Sequence, residues 1–171
     1  IPLTELIAAL QQEAERAGVH MVHDRVVDAV TEADLIRVKT SQGSEYSARV
    51  ALAADGHGST MRTKAGISTQ AWSYNQSALV TTFAHSSDHM WSSCEYSKRN
   101  GPCTVVPLPG RRSAVVWMDL PDETQRRLAL DDASLAAELQ IATHGELGLV
   151  SGITSRKAFP MRGLTASCFA K

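Results

Sequence analysis

The stretch Val50-Ala51-Leu52-Ala53-Ala54-Asp55-Gly56-His57-Gly58-Ser59-Thr60-Met61-Arg62 decides how the rest of the chain is read. Its first five residues are continuously apolar, do not alternate, and stop sharply at Asp55-Gly56. A short unbroken run of this kind predicts a strand buried on both faces, which requires helices against a sheet. Two glycines then permit a tight turn, Ser59 is placed to cap a helix of barely two turns, and Gly66 to end it. Open α/β sheets collect ligands at the carboxyl ends of their strands, where this turn falls. Loop amides near a helix N-terminus suit an anionic or electron-rich group, and Arg62 is placed to fork onto a phosphate or carboxylate. A plainer role fits the same residues: Asp55 anchors the turn and Arg62 pairs with a neighbouring acid. The loop is not a GxGxxG dinucleotide motif, because only two glycines are present and the spacing fails.

Upstream, Leu6, Ile7, Leu10, Ala14 and Ala17 recur at spacings of three and four, which predicts an amphipathic helix over 4–17 with Gly18 at its C-terminal cap. That helix is available to cover one face of the 50–54 strand. Val19–His23 is a short extended candidate. Val26-Val27 opens a strand ending near Asp34, Leu35–Thr40 alternates, and Gln42-Gly43 turns the chain into a strand containing Tyr46, so an antiparallel meander is expected. From Ser68 the texture becomes antiparallel sheet, with strands over 77–85, 92–97, 103–108 and 113–120. Lys98-Arg99-Asn100-Gly101 and Pro109-Gly110-Arg111-Arg112 serve as turns. Pro107 and Pro109 place the end of the third of these strands at an edge or bulge. Two helices, over 122–130 and from an Asp131 or Asp132 cap to about His144, precede a last strand, 153–159, ended by Pro160. The fold class is α+β: a partial α/β domain over 1–67, which the resemblance given below implies to be FAD-binding, joined to an antiparallel-sheet domain with helices over 68–171, which it implies to be the substrate domain.

Composition narrows the chemistry. The 171 residues carry 17 basic and 18 acidic side chains, and Lys98-Arg99 and Arg111-Arg112 are isolated pairs, so no nucleic-acid footprint is expected. Cys94, Cys103 and Cys168 form no metal-ligand spacing, and their odd number argues against a disulfide framework; each is expected as a buried small hydrophobe. His20/His23 and His85/His89 lack a third ligand, and no metal site is expected. Ser59 and Ser151 lie outside any G-x-S-x-G, so no nucleophilic triad is assembled. No signal peptide is evident, and no apolar run approaches the roughly 18 residues of a membrane span. Trp72, Tyr74, Trp91, Tyr96 and Trp117 fall on or beside the predicted sheet. Such residues either fill a core, the expectation for Trp117, or floor a pocket for a flat apolar ligand.

These segments resemble a known family. Val50–Arg62 followed by Ala65-Gly66-Ile67 is similar to the second flavin fingerprint of the FAD-dependent aromatic-ring monooxygenases, the p-hydroxybenzoate hydroxylase-like superfamily. Tyr74-Asn75-Gln76-Ser77-Ala78-Leu79-Val80 resembles the Y-x-Q-x-A-L-V strand of its ubiquinone-biosynthesis branch. Gly101-Pro102, Val105–Pro109, Ser113–Trp117 and Ser155–Met161 continue the likeness in order. Cys94-Glu95-Tyr96 departs from the branch's usual Glu-Arg-Phe. The family's opening GxGxxG loop and its later Gly-Asp motif are not in the sequence, so the chain is expected to be an internal fragment.

The resemblance implies a full-length enzyme in which NADH or NADPH reduces FAD, reduced FAD reacts with O₂, and one oxygen atom passes to an aromatic ring, that of a ubiquinone precursor. It implies that Asp55, Gly56, Ser59 and Arg62 lie at the cofactor, and that Tyr74, Trp91 and Tyr96 belong to the substrate-side wall. No residue is named as a catalytic acid or base, because oxygen transfer is chiefly the cofactor's chemistry. The fragment by itself is expected to bind no FAD and to be inactive. The implied setting is cytoplasmic or peripheral at the inner membrane, with a small, prenylated aromatic substrate and a protein complex for ubiquinone synthesis as the expected partners. The alternatives are a hydroxylase of another aromatic substrate and a non-catalytic ligand-binding module.

Overall fold

The computed structural model describes residues 3–171. The order of elements is α1 (Leu3–Arg16), β1 (Val26–Glu32), β2 (Leu35–Thr40), β3 (Glu45–Ala48), α2 (Thr60–Lys64), β4 (Thr69–His85), β5 (Cys94–Tyr96), β6 (Cys103–Leu108), β7 (Arg112–Asp119), α3 (Pro121–Ala129), α4 (Asp132–Ala142), β8 (Val150–Ser151) and β9 (Lys157–Ala166). The class is α+β, as the sequence predicts. Two compact units form: Leu10–Trp72 with Gly163–Lys171, and Ser73–Arg162 with residues 3–9. None of the helices in the described residues is long and apolar enough to cross a membrane.

In the first unit β1, β2 and β3 form the expected antiparallel meander, with Val38 opposite Ala29 on one side and Tyr46 on the other. Gly43 adopts φ +87° where the chain turns, and its amide donates to the Thr40 carbonyl. The short helix α2 is tied to β1 by a 2.8 Å ion pair between Lys64 and Asp28. Glycine is needed at 163 for a different reason: a methyl group there would overlap the indole of Trp72.

Four expectations fail in this part of the chain. Val50–Ala54 is not a strand, and Val50 and Leu52 are 71% and 93% exposed. A strand buried on both faces needs a neighbour on each side to take its N–H and C=O groups, and none of the described strands pairs with this run. Helix α1 forms and closes at Gly18 (φ +81°), but Leu6, Ile7 and Leu10 on its apolar side are exposed. Residues 19–23 are irregular, again without a strand partner. Cys168 is exposed, unlike buried Cys103 and half-buried Cys94.

The second unit is built on one sheet of order β5-β6-β7-β4-β8, with β9 also pairing with β4. Strict alternation gives the sheet two faces. Leu79, Trp117, Cys103 and Tyr96 are cross-strand partners on one side, and Thr81, Val115, Val105 and Cys94 form the next rung. This face is closed by Leu135, Ala136, Leu139 and Ala142 of α4, so Trp117 is core, as predicted. Asp131 caps α4 by accepting the Ser134 amide at 2.7 Å. Pro107 lies where β6 has run past the end of β5, the free edge a proline tolerates. The final strand departs from expectation: β9 continues through Pro160 to Ala166. Its one pairing among the described residues is with β4, so Pro160 can use the unpaired edge.

Arg127 joins α3 to the sheet and to α4. Its guanidinium stacks 4.0 Å from the centre of the Trp117 ring and pairs with Asp119 (2.7 Å) and Glu138 (3.0 Å). Burial pushes the Asp119 carboxyl up, but hydrogen bonds from Asn100 and Arg127 outweigh it and hold the group below its ordinary value. Arg127→Ala leaves the Asp119 carboxylate without its cation, Glu138 still being held by Arg126, and is expected to cost about 3 kcal/mol, measurable by urea denaturation; a loss below about 1 kcal/mol would show that the clamp contributes little.

Candidate functional site

The loop at 55–62 is braced from within. Gly56 adopts φ +80°, which an L side chain would resist, and the Ser59 amide donates back to its carbonyl. Ser59, almost fully buried, accepts the Arg62 amide at 3.0 Å and so caps α2. The Asp55 carboxylate accepts the Met61 amide at 3.2 Å. The Arg62 guanidinium turns back onto the loop, donating to the His57 carbonyl at 2.6 Å and to that of Gly56 at 3.5 Å. The Ser59 hydroxyl, followed by amides at the start of α2, holds the Asp55 carboxyl below its ordinary value of 3.8.

Chemically the loop therefore differs from the anion cradle that its sequence suggests. The Met61 and Arg62 amides are already used, and Arg62 is a brace rather than an open fork. What is presented outward is an ionised carboxylate, an acceptor for hydroxyl groups. Asp55, Gly56, Ser59 and Arg62 all line one groove of about 1320 Å³ within the first unit, together with Val50, Leu52 and the end of the chain near Phe169. The exposed apolar run thus forms a greasy wall beside the carboxylate.

In the second unit Tyr74, Trp91 and Tyr96 have three different settings. Tyr74 lines an open cleft with Asn75, Gln76 and the 98–101 turn. Trp91 is 69% exposed and, like Met90 before it, has a positive φ. It packs edge-on against His89 at 5.2 Å between ring centres, and its amide donates to His89 Nδ1. His89 Nε2 donates to the carbonyls of Leu108 and Gly110. Tyr96 lies in the sealed core, its hydroxyl donating to Glu146 at 2.8 Å; burial first, then Glu146, pushes its pKa up.

The opposite face of this sheet carries side chains that aromatic content alone does not reveal. Val80, Thr82 and Ala84 of β4, Ala114, Val116 and Met118 of β7, and Thr104 and Val106 of β6 share it through register. None of these eight is buried, and Val106 and Val116 are about 40% exposed. The sequence signal for this face was parity: each of these residues is one position off a core residue.

The family model for the FAD binding domain matches residues 1–171. The chain is 32% identical over 126 residues to ubiquinone hydroxylase UbiL of Rhodospirillum rubrum, covering 74% of this chain and 29% of that protein. It is 29% identical over 128 residues to the 3-demethoxyubiquinol 3-hydroxylase of Escherichia coli, covering 75% and 32%. The chain thus spans about a third of the length of these relatives. Among solved structures, the flavin-dependent monooxygenase PieE in complex with FAD and substrate superposes with a TM-score of 0.68 at 16% identity, over 100% of this chain and 32% of that one. A variant of PqsL from P. aeruginosa gives 0.67 at 23%, over 89% and 44%.

Replacing Ser59 with alanine removes both the cap of α2 and the hydroxyl that lowers Asp55. The Asp55 carboxyl is expected to titrate at higher pH in Ser59→Ala, read by carbon-detected NMR. The stability Asp55 contributes exists above the ordinary carboxylate value and is lost as pH falls through its depressed folded value; with that depression removed, the variant should be less stable near neutral pH and lose less on acidification. An unchanged Asp55 titration would remove Ser59 from this role.

Proposed function

The chain belongs to the FAD binding domain family, and on that premise we propose that it is part of a flavin-dependent monooxygenase that hydroxylates an aromatic ring, a ubiquinone precursor being the substrate. One observation carries this reading: the six-stranded sheet has one face sealed by helices and the other left open, apolar and thinly furnished with polar groups. A flat aromatic ring needs such a surface. The likeness to UbiL and to the demethoxyubiquinol hydroxylase supports the ubiquinone branch.

The groove beside Asp55 fits FAD as one wall of its site. Gly56 has open space where a Cβ would stand, so backbone can approach a ligand closely. Ionised Asp55 suits the hydroxyls of a sugar or ribityl chain and would repel a phosphate, and Ser59 and Arg62 hold the loop in shape. When bound, and reduced by NADH or NADPH, FAD would activate O₂ and supply the oxygen atom. The protein's part is to position the ring and exclude water. Residues 1–67 are assigned to the cofactor side, together with the chain end near Phe169 that lines the same groove, and the rest of 68–171 to the substrate side, with Tyr74, Trp91 and Tyr96 bordering or supporting the latter. A prenylated substrate would bring the enzyme to a membrane surface and into a protein complex for ubiquinone synthesis, from a cytoplasmic position.

The full-length protein supplied with FAD, NADH or NADPH and isotope-labelled O₂ is expected to place one labelled oxygen on a prenylated phenol, detected by mass spectrometry. Labelling of soluble aromatic acids alone would reject the ubiquinone branch, and no labelling of any arene would reject the activity. The 171 residues by themselves are expected to retain little FAD, because Asp55 is anionic and Arg62 is engaged, so that the 55–62 loop offers the pyrophosphate few donors. A stoichiometric flavin absorbance band from the purified chain would contradict this.

A further inference from the structure

The open face of the sheet holds one cation whose position the fold does not explain. Arg112 opens β7, opposite Ala84 on one side and Leu108 on the other, with the parity of Ala114 and Val116. Its side chain is half-buried on that face. Nη2 donates to Thr82 Oγ1 at 3.1 Å, and Thr82 Oγ1 is in turn 3.1 Å from Thr154 Oγ1. Gly152 leaves room beside Nη1, since a Cβ there would stand 3.9 Å away.

The other non-exposed arginines of this unit each meet a carboxylate: Arg127 pairs with Asp119 and Glu138, and Arg156 with Asp132. Arg112 meets none among the described residues. Glu95, the acid on the same face, is two strands away and is hydrogen-bonded to Thr104. A guanidinium on a face shared with Ala84, Ala114 and Val106 and without a counter-charge is partly desolvated for little return, unless a ligand supplies the charge. One of its five N–H groups is used by Thr82, and the remainder form a planar fork suited to an oxyanion.

We propose that Arg112 is the anion-recognising residue of this face, binding a carboxylate or phenolate oxygen carried by an aromatic ring that lies on Val80, Ala114 and Val116. This rests on reading the open face as the substrate wall. The shared chemistry is an anionic ring oxygen; a phenolate takes one or two N–H groups and a carboxylate the bidentate fork. Thr82 is a positioning residue, holding one corner of the guanidinium.

The test is isothermal titration of the full-length protein with benzoate, with 4-nitrophenol kept ionised, and with benzyl alcohol as the neutral ring. At least one anion should bind about tenfold more tightly than benzyl alcohol, the size of a charge-assisted hydrogen bond. That preference should vanish in Arg112→Ala and Arg112→Gln and partly return in Arg112→Lys, with benzyl alcohol affinity unchanged throughout. Glutamine keeps length and polarity, so its circular dichroism and neutral-ring binding control for folding. The anion that binds more tightly identifies the source of the oxygen. If benzyl alcohol binds but the wild-type protein shows no anion preference, or the preference survives in both neutral variants, the role of Arg112 is overturned and the substrate wall stands. Failure of every arene to bind overturns both.

Discussion

Arg127 holds the second unit in its working form. Stacked on Trp117 and paired with Asp119 and Glu138, it binds α3, α4 and β7 to one another on a single side of the sheet. The same side carries Leu79, Phe83 and Val115, so the helices have one face on which to bury their apolar residues. A buried cation of this kind is stable because its charge is matched and its flat surface rests on an aromatic ring. The other face of the sheet is left uncovered as a consequence, and it is there that a flat ligand has room.

The first unit follows a different logic. Its loop at 55–62 spends its polar groups on itself: Ser59 links the Asp55 carboxylate to the Arg62 amide, and Arg62 returns to the carbonyls of Gly56 and His57. Rigidity is gained and donor capacity is lost. The groove beside it is correspondingly apolar on one side, where Val50 and Leu52 are bare, and acidic at Asp55. The loop itself thus presents a carboxylate rather than free donors, while Arg49 and Lys171 line the groove elsewhere.

Legibility varied from element to element. The helix over 3–16, the meander, the helix after Ser59 and the strands around Val105 and Val115 were visible because their periods are local properties of the chain. The run at 50–54 misled because apolar continuity reports a demand for burial, whereas a strand exists only where another backbone is beside it. Pro160 misled in the opposite sense: a missing N–H ends a strand only if the partner lies on that edge. The site was visible as a loop but not as a wall. Tyr96 attracted notice for its ring and lies in the core, whereas Thr82, Val116 and Arg112 line the open face and are unremarkable as residue types.

By itself the sequence determined the α+β class, the likeness to a flavin fingerprint at 50–67, the capping role of Ser59 and the core role of Trp117, since each depends on neighbours a few residues apart. Only the tertiary structure decided which parity of β4, β6 and β7 faces the helices, that Arg62 folds back on its own loop, and that Arg112 lacks a carboxylate. Those outcomes depend on which distant side chain arrives first at a given charge or surface, and spacing along one strand carries no record of what approaches it from across the fold.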